Sequence, residues 1–493
     1  MQKSLLPLNM QNNQTKNPTN ILFLTLSVLL VVYIIARAIL IDMTHDEAYS
    51  FYNVKHFWYV ETLCTGNTHW FNFVAIKVAV LLGLEKASQL RWLSIISSIA
   101  FIIVAYVWIR SVKDITSKCF SFLLLFNPYL LDYFSLARGY STGLAFEALG
   151  ILFLVLSFTH DRKKYSMSAL LFAGLAAIAN FNFFYFFSAF CLFYFYVFYF
   201  KNGSVFLKDK RFYIDTIYAL GITSLVLRAL VFITECSNDI GAYGGTSFIE
   251  SLFGGYLNGY FYEKFVFNYT LATVLQYALF ALIVIAIING LKNFKKYQNW
   301  LYFIVSVITG IMLLLCLLTK WAFHVLYPID RTTLMFFPLF TVLIVCFLVE
   351  VFKKLMIKKV VLFLLSLILA VNFAVSVNFL SPMDYPEQVD AREAFQYLDK
   401  IGAKKVGIAP ELYGVFRNYY QQTEHEKFSF YGESINTSIP FGIDENIDKL
   451  AEFEYLVLYP PYKLSFYKNN NVGLETVKLY PSTYTLIVKV LRH

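Results

Sequence analysis

Long apolar runs separated by short, basic connectors set the pattern of this chain. A run of about 20 apolar residues crosses a ~30 Å hydrocarbon core as helix, and the short alternating strands of a membrane barrel do not occur in these runs. The pattern predicts eleven helical spans, near residues 21–41, 90–109, 119–134, 141–159, 166–181, 183–200, 212–233, 265–290, 300–319, 332–351 and 360–380. The first run is too long for the apolar part of a signal peptide and lacks a small-residue cleavage site. It therefore reads as a retained span behind a polar tail, residues 1–20. Spans five and six meet at Asn180–Asn182; taken as one helix, they would invert everything that follows.

The segments between spans are unequal. Residues 42–89 form a long, half-apolar first outer loop that reads as two interfacial helices, Asp46–Tyr59 and Trp70–Leu84, joined at Cys64–Thr68. In the loop from Glu235 to Glu263, Phe248, Ile249, Leu252, Phe253, Tyr256 and Leu257 recur at helical spacing among glycines. That loop reads either as a lid lying on the membrane or as an ordinary interfacial connector. From Ser381 the pattern changes: helix signals cover Pro386–Lys400, and Lys405–Ile408, Tyr455–Leu458 and Tyr484–Val490 read as β segments. The predicted fold class is an all-α polytopic membrane protein over residues 21–380, with a small extracytoplasmic α/β domain over 381–493.

Composition supports the membrane class. The chain is 58% hydrophobic and 15% charged, against roughly 45–50% and about 25% in soluble domains. Its net charge of +9 comes from short clusters, Arg110/Lys113/Lys118, Arg162–Lys164, Lys201/Lys208/Lys210/Arg211, Lys292/Lys295/Lys296 and Lys353/Lys354/Lys358/Lys359. Such clusters mark cytoplasmic connectors, so they point to a cytoplasmic N-terminal tail and to no nucleic-acid partner. Cys119, Cys191, Cys316 and Cys346 fall in apolar runs as buried thiols, and Cys64 with Cys236 is the one pair placed to meet outside.

The chemistry gathers on one side of that topology. Asp42, His45, Asp46 and Glu47 follow span one, His69 lies in the same loop, Arg138-Gly-Tyr140-Ser separates spans three and four, and His324, Asp330 and Arg331 separate spans nine and ten. A carboxylate within hydrocarbon costs roughly 2.5–3.5 kcal/mol on insertion scales, so the acids need a wet site. Thr44 and Glu47 are also spaced as a capping box, and acids in a first turn favour the helix dipole. Arg138 and Arg331 read as bidentate phosphate ligands or as arginines snorkelling from helix ends. Glu147, the main charge inside a span, reads as a hydrogen bond between helices. A transporter would instead carry ionisable groups near mid-membrane on broken helices.

Asp46-Glu47, the Asn-Thr-His69-Trp-Phe-Asn72 segment, Leu90-Arg-Trp-Leu-Ser, Asn127-Pro-Tyr, Ala137-Arg-Gly-Tyr-Ser141 and Asp330-Arg-Thr, in that order, resemble the GT-C glycosyltransferases, in particular the protein mannosyltransferase and aminoarabinose transferase-like branch. The resemblance covers residues 20–380. It implies a catalytic acid in the first outer loop, here Asp46 or Glu47, with Asp46 as general base and Glu47 orienting a sugar or a basic neighbour. Apart from the resemblance, the chemistry and shared side of the remaining residues make Arg138 and Arg331 the candidates for donor phosphate binding and His45, His69, Tyr140, His324 and Asp330 the candidates for substrate contacts. Bacterial relatives carry a shorter histidine pattern in the second half of the loop than Asn67–Asn72, which leaves the role of His69 open. No cofactor is required; a divalent cation, Mg²⁺ or Mn²⁺, could sit among His45, His69 and the acids, although no ligand spacing calls for one. The implied activity is an inverting transfer of a hexosyl or pentosyl group from a polyprenyl-phosphate donor to an extracytoplasmic glycan, lipid or protein, at a bacterial inner membrane. The alternatives are a lipid-linked glycan transporter or binding protein and an oligosaccharide ligase or polymerase.

Overall fold

The computed structural model describes residues 18–56, 69–112, 114–160, 163–200, 207, 209–236, 244–262, 268–294, 299–351, 356–423, 431–434, 453–459, 473–481, 483 and 485–491. The Cys64–Thr68 joint, the Cys64–Cys236 pairing and most of the polar N-terminal tail lie outside the described residues or side chains. The chain divides into two compact units, one of Met1–Ile35, Leu63–Asn72 and Trp92–Val377, the other of Ala36–Thr62, Phe73–Arg91 and Asn378–His493.

The first unit is helical. Among the described residues nine helices are long and apolar enough to cross a membrane: Pro18–Leu40, Trp92–Ser111, Gly139–His160, Phe181–Phe198, Lys210–Val231, Tyr269–Lys292, Trp300–Phe323, Asp330–Glu350 and Lys358–Ser376. The other two expected spans are shorter. The third is broken: Ile115–Leu125 stops at Phe126, and Asn127 caps a separate helix, Pro128–Phe134, by accepting the Leu130 N–H at 2.9 Å with proline in the first turn. The fifth, Lys163–Ala179, ends at Asn180, whose side chain accepts the Asn182 N–H at 3.0 Å and starts the next helix. Spans five and six are therefore separate helices.

Small residues let neighbours approach closely, as is common between membrane helices. A Cβ on Gly150 would stand 3.4 Å from the Ala173 backbone nitrogen, and Ala169, Ala173, Ala176 and Ala177 are all fully buried. Aromatic rings fill wider gaps, with Phe158 stacked on Trp300 at 4.3 Å and Phe153 on Phe172 at 5.4 Å. The glycine-interrupted loop is no surface lid over its described part. Gly245 and Tyr327 exchange backbone hydrogen bonds of 2.9 and 3.0 Å, and Leu252, Phe253 and Tyr256 are buried, Phe253 stacking on Phe340 and Tyr256 lying against Phe337. Glu147 also departs from expectation: it is fully buried, and neither carboxyl oxygen has a hydrogen-bond partner among the described residues.

The second unit joins much of the first outer loop to the C-terminal segment. Its sheet runs β2(Tyr431–Ser434)-β1(Lys405–Ile408)-β3(Tyr455–Leu458)-β5(Thr485–Leu491)-β4(Gly473–Tyr480), parallel from β2 to β3 and antiparallel from β3 to β4. Phe453, Leu456, Leu458, Leu486, Val488 and Val490 form one apolar cluster. The helix Ala391–Lys400 buries Ala391, Ala394, Phe395 and Leu398 along one stripe, as an amphipathic helix should. The helix His45–His56 buries Phe51 edge-on against Tyr419 at 5.5 Å.

Candidate functional site

In the second unit the acids sit in the first turn of the His45–His56 helix. Thr44 donates from its backbone N–H and its hydroxyl to Glu47 Oε2, each at 3.0 Å, and Thr44 Oγ1 accepts the Glu47 N–H at 3.4 Å. The capping box is thus complete, and it fixes Glu47. Arg91, fully buried, grips the same carboxylate from the other side: Nε donates to Oε1 at 2.8 Å and Nη2 to Oε2 at 2.7 Å. Its remaining hydrogens go to the carbonyls of Ala38, Ile41 and Asp42 at 3.0, 2.7 and 2.8 Å, satisfying acceptors that the end of the Pro18–Leu40 helix leaves open. Burial pulls the Arg91 pKa down, but the Glu47 carboxylate more than offsets this and holds it above its ordinary value.

Asp46, next in the same turn, is 5% exposed and accepts a hydrogen bond at Oδ2 from the Tyr385 hydroxyl. His45 donates its backbone N–H to Gln388 Oε1 at 2.7 Å, and its ring lies so close to Gly414 that a Cβ there would stand 2.1 Å from Nδ1. Asp42 is half-buried; burial lifts its carboxyl to about 6, while the Arg392 guanidinium, the Tyr420 hydroxyl and Arg91 restrain the rise. Burial also pushes the Tyr419 hydroxyl up to about 12. Arg91, Tyr385 and Gln388 were not singled out from sequence, although Arg91 stands within the Leu-Arg-Trp-Leu-Ser segment.

In the first unit Arg138, 1% exposed, immediately precedes the Gly139–His160 helix. Asn72 donates to the Ala137 carbonyl at 2.6 Å, and His69 packs edge-on against Tyr140 at 5.4 Å, with Tyr140 against Tyr133 at 4.9 Å. Gly139 is required at this crossing, because a Cβ would stand 2.3 Å from the Ala179 carbonyl oxygen and 2.6 Å from His69 Cβ. The structure thus brings His69, Asn72, Arg138 and Tyr140 to one place. Asp330 and Arg331 open a tight turn, Asp330–Phe336, that packs against the Gly139–His160 helix. Both residues are half-buried, and Asp330 has a left-handed φ of 47°, an uncommon conformation for a residue other than glycine. The exposed His324 has a similar φ of 56° where it closes the Trp300–Phe323 helix. Among the described residues no three His, Cys, Asp or Glu side chains converge to hold a metal ion.

No protein-family model matches the chain, and no curated protein matches it in sequence. Solved structures do resemble it. ArnT from Cupriavidus metallidurans in the apo state aligns over 95% of this chain and 97% of its own, at 10% identity and a TM-score of 0.50. ArnT is a GT-C glycosyltransferase. The chain has the GT-C fold. Two further alignments are weaker. ArnT bound to undecaprenyl phosphate aligns over 95% and 97% at 12% identity with a TM-score of 0.48, and the oligosaccharyltransferase of Archaeoglobus fulgidus, in complex with Zn and sulfate, over 93% and 72% at 12% identity with a TM-score of 0.43. Of the motifs read from sequence, Asp46-Glu47 falls in the first turn of the helix His45–His56, Ala137–Ser141 at the start of Gly139–His160 and Asp330-Arg-Thr at the turn Asp330–Phe336.

Proposed function

We propose that this protein is a membrane glycosyltransferase that moves a sugar from a polyprenyl-phosphate donor to an acceptor outside the bacterial inner membrane. The observation that carries the reading is the first turn of the His45–His56 helix. Both oxygens of Glu47 are engaged by Arg91 and the capping bonds, while the adjacent Asp46 is held separately by Tyr385. Two neighbouring carboxylates with distinct partners suit distinct roles, a base and the strut that orients its helix.

In this reading Asp46 takes the proton of the acceptor hydroxyl as its oxygen attacks the anomeric carbon. The bond from that carbon to the phosphate oxygen breaks, and the polyprenyl phosphate leaves with the electron pair. One displacement inverts the anomeric centre. Arg138 and Arg331 receive the charge that develops on the phosphate, an effect worth roughly 3–4 kcal/mol per well-placed donor in other enzymes. Glu47 acts through Arg91 and does not touch substrate. His45, His69, Tyr140, His324 and Asp330 are assigned to substrate contacts, and no metal is assigned a step. The basic connectors put the proposed site on the side away from the cytoplasm, where nucleotide sugars are made, which favours a lipid-linked donor over a nucleotide sugar.

The deciding experiment uses purified protein, undecaprenyl-phosphate-linked sugars and UDP- or GDP-sugars. Transfer is expected from the lipid donors alone. Asp46→Asn should abolish product while donor binding survives, and Arg138→Lys or Arg331→Lys should lower turnover by losing the bidentate fork. Transfer from a nucleotide sugar without lipid carrier would overturn the donor assignment, and undiminished function of Asp46→Asn would favour a carrier over an enzyme.

A further inference from the structure

Tyr385 stands 339 residues after Asp46, at the entry to the Pro386–Asp390 turn of the C-terminal segment. Within the second unit, three residues of the C-terminal segment hold the first turn of the His45–His56 helix: Tyr385 through Asp46, Gln388 through the His45 N–H, and Gly414 against the His45 ring. Tyr385 and Gln388 are 5% and 3% exposed. A second tie runs through Arg37, whose guanidinium donates to the carbonyls of Asn378 at 2.5 Å and Ser381 at 3.3 Å, anchoring the start of that segment beside the end of the Pro18–Leu40 helix.

We propose that Tyr385 is a positioning residue that orients the Asp46 carboxylate for proton transfer, so that the C-terminal segment completes the acid site. The inference deepens the transferase reading and rests on it for the role of Asp46. Its physical basis is direct. A hydroxyl donating to a carboxylate stabilises the charged, proton-accepting form and fixes its plane. Gln388 serves as the internal comparison, because its Oε1 holds the same turn through the His45 backbone N–H.

The test uses the full-length protein in lipid nanodiscs, with Tyr385→Phe, Gln388→Ala and Asp46→Asn. The infrared carboxylate band lost in Asp46→Asn identifies Asp46, and its titration is followed in the other two. In Tyr385→Phe the midpoint should move to higher pH by about one unit, a tenfold change in proton affinity, while Gln388→Ala leaves it in place. With an undecaprenyl-phosphate-linked sugar as donor, Tyr385→Phe should lower turnover by about ten- to a hundredfold, with KM within about twofold and the acid limb of the pH profile shifted upward. Should Tyr385→Phe fold poorly, fluorotyrosine placed at 385 keeps the shape and donates more strongly, and it should move the midpoint the other way. Titration unchanged by both replacements would overturn the proposal. Absence of sugar transfer by the parent protein would sink the transferase reading, and the infrared titration would still decide whether Tyr385 governs Asp46.

Discussion

Glu47 and Arg91 form a fully buried, two-pronged ion pair that closes the gap between the end of one helix and the start of the next. Arg91 places all its hydrogens, on one carboxylate and three carbonyls. Removing one partner of a buried pair leaves the other charge uncompensated and costs about 3–5 kcal/mol. Glu47→Gln and Arg91→Leu should each lower the thermal midpoint of detergent-solubilised protein sharply. Arg91→Lys should do so as well, since an ammonium cannot serve the fork and three carbonyls together. Midpoints within a degree or two of the parent would show that the pair holds nothing in place.

That pair also marks how far the sequence could be read. Thr44 and Glu47 announce a helix start by spacing alone, because a capping box is local, and both of its bonds form. Arg91 lies 44 residues away at the mouth of an apolar run, where an arginine reads as an interface anchor, so no spacing could pair it with Glu47. Tyr385 was beyond reach for the same reason. The break in the third span was signalled by Asn127-Pro128, a cap followed by a first-turn proline, but the apolar run around it concealed the interruption. Lys405–Ile408 and Tyr455–Leu458 were legible as β segments, and in the sheet they are inner strands with buried apolar side chains. The edge strands Tyr431–Ser434 and Gly473–Tyr480 were not, since pairing with a neighbour makes them strands and neither carries a strong apolar alternation.

Asp42 gives stability a pH dependence of definite sign. Its folded pKa of about 6 lies above the ordinary 3.8, so the folded chain holds this proton more tightly than the unfolded chain does. Stability from this group is therefore greatest at low pH. It falls as pH rises through the window from 3.8 to about 6, and stays reduced above it. Asp42→Asn removes the penalty and keeps the shape. Relative to the parent, the variant should gain of order 1–3 kcal/mol at neutral pH and almost nothing at about pH 3 and below. Thermal or denaturant unfolding across that range reads the difference directly; a gain that is constant with pH would deny the buried carboxyl this role.

The last prediction concerns which side of the membrane holds the chemistry. Ile115–Leu125 is only about 17 Å long as helix, so it crosses only together with the Pro128–Phe134 piece, whereas Lys163–Ala179 is about 26 Å and comes close to spanning alone. With both crossing, the chain makes eleven passes, and the basic connectors fall on the side of the N-terminal tail. His324 precedes the Asp330–Glu350 span and is exposed, while Lys359, also exposed, follows that span, so the two report opposite faces. In a background lacking the native cysteines, His324→Cys should react in intact cells with a membrane-impermeant thiol reagent. Lys359→Cys should react only after the membrane is opened. The positive-inside bias sets that expected direction, because it favours the cytoplasmic side for the Lys353–Lys359 cluster. The reverse pattern would place Arg331 and its neighbours on the cytoplasmic side and remove the ground for an extracytoplasmic acceptor, and labelling of both positions in intact cells would mean that the Asp330–Glu350 helix does not cross at all.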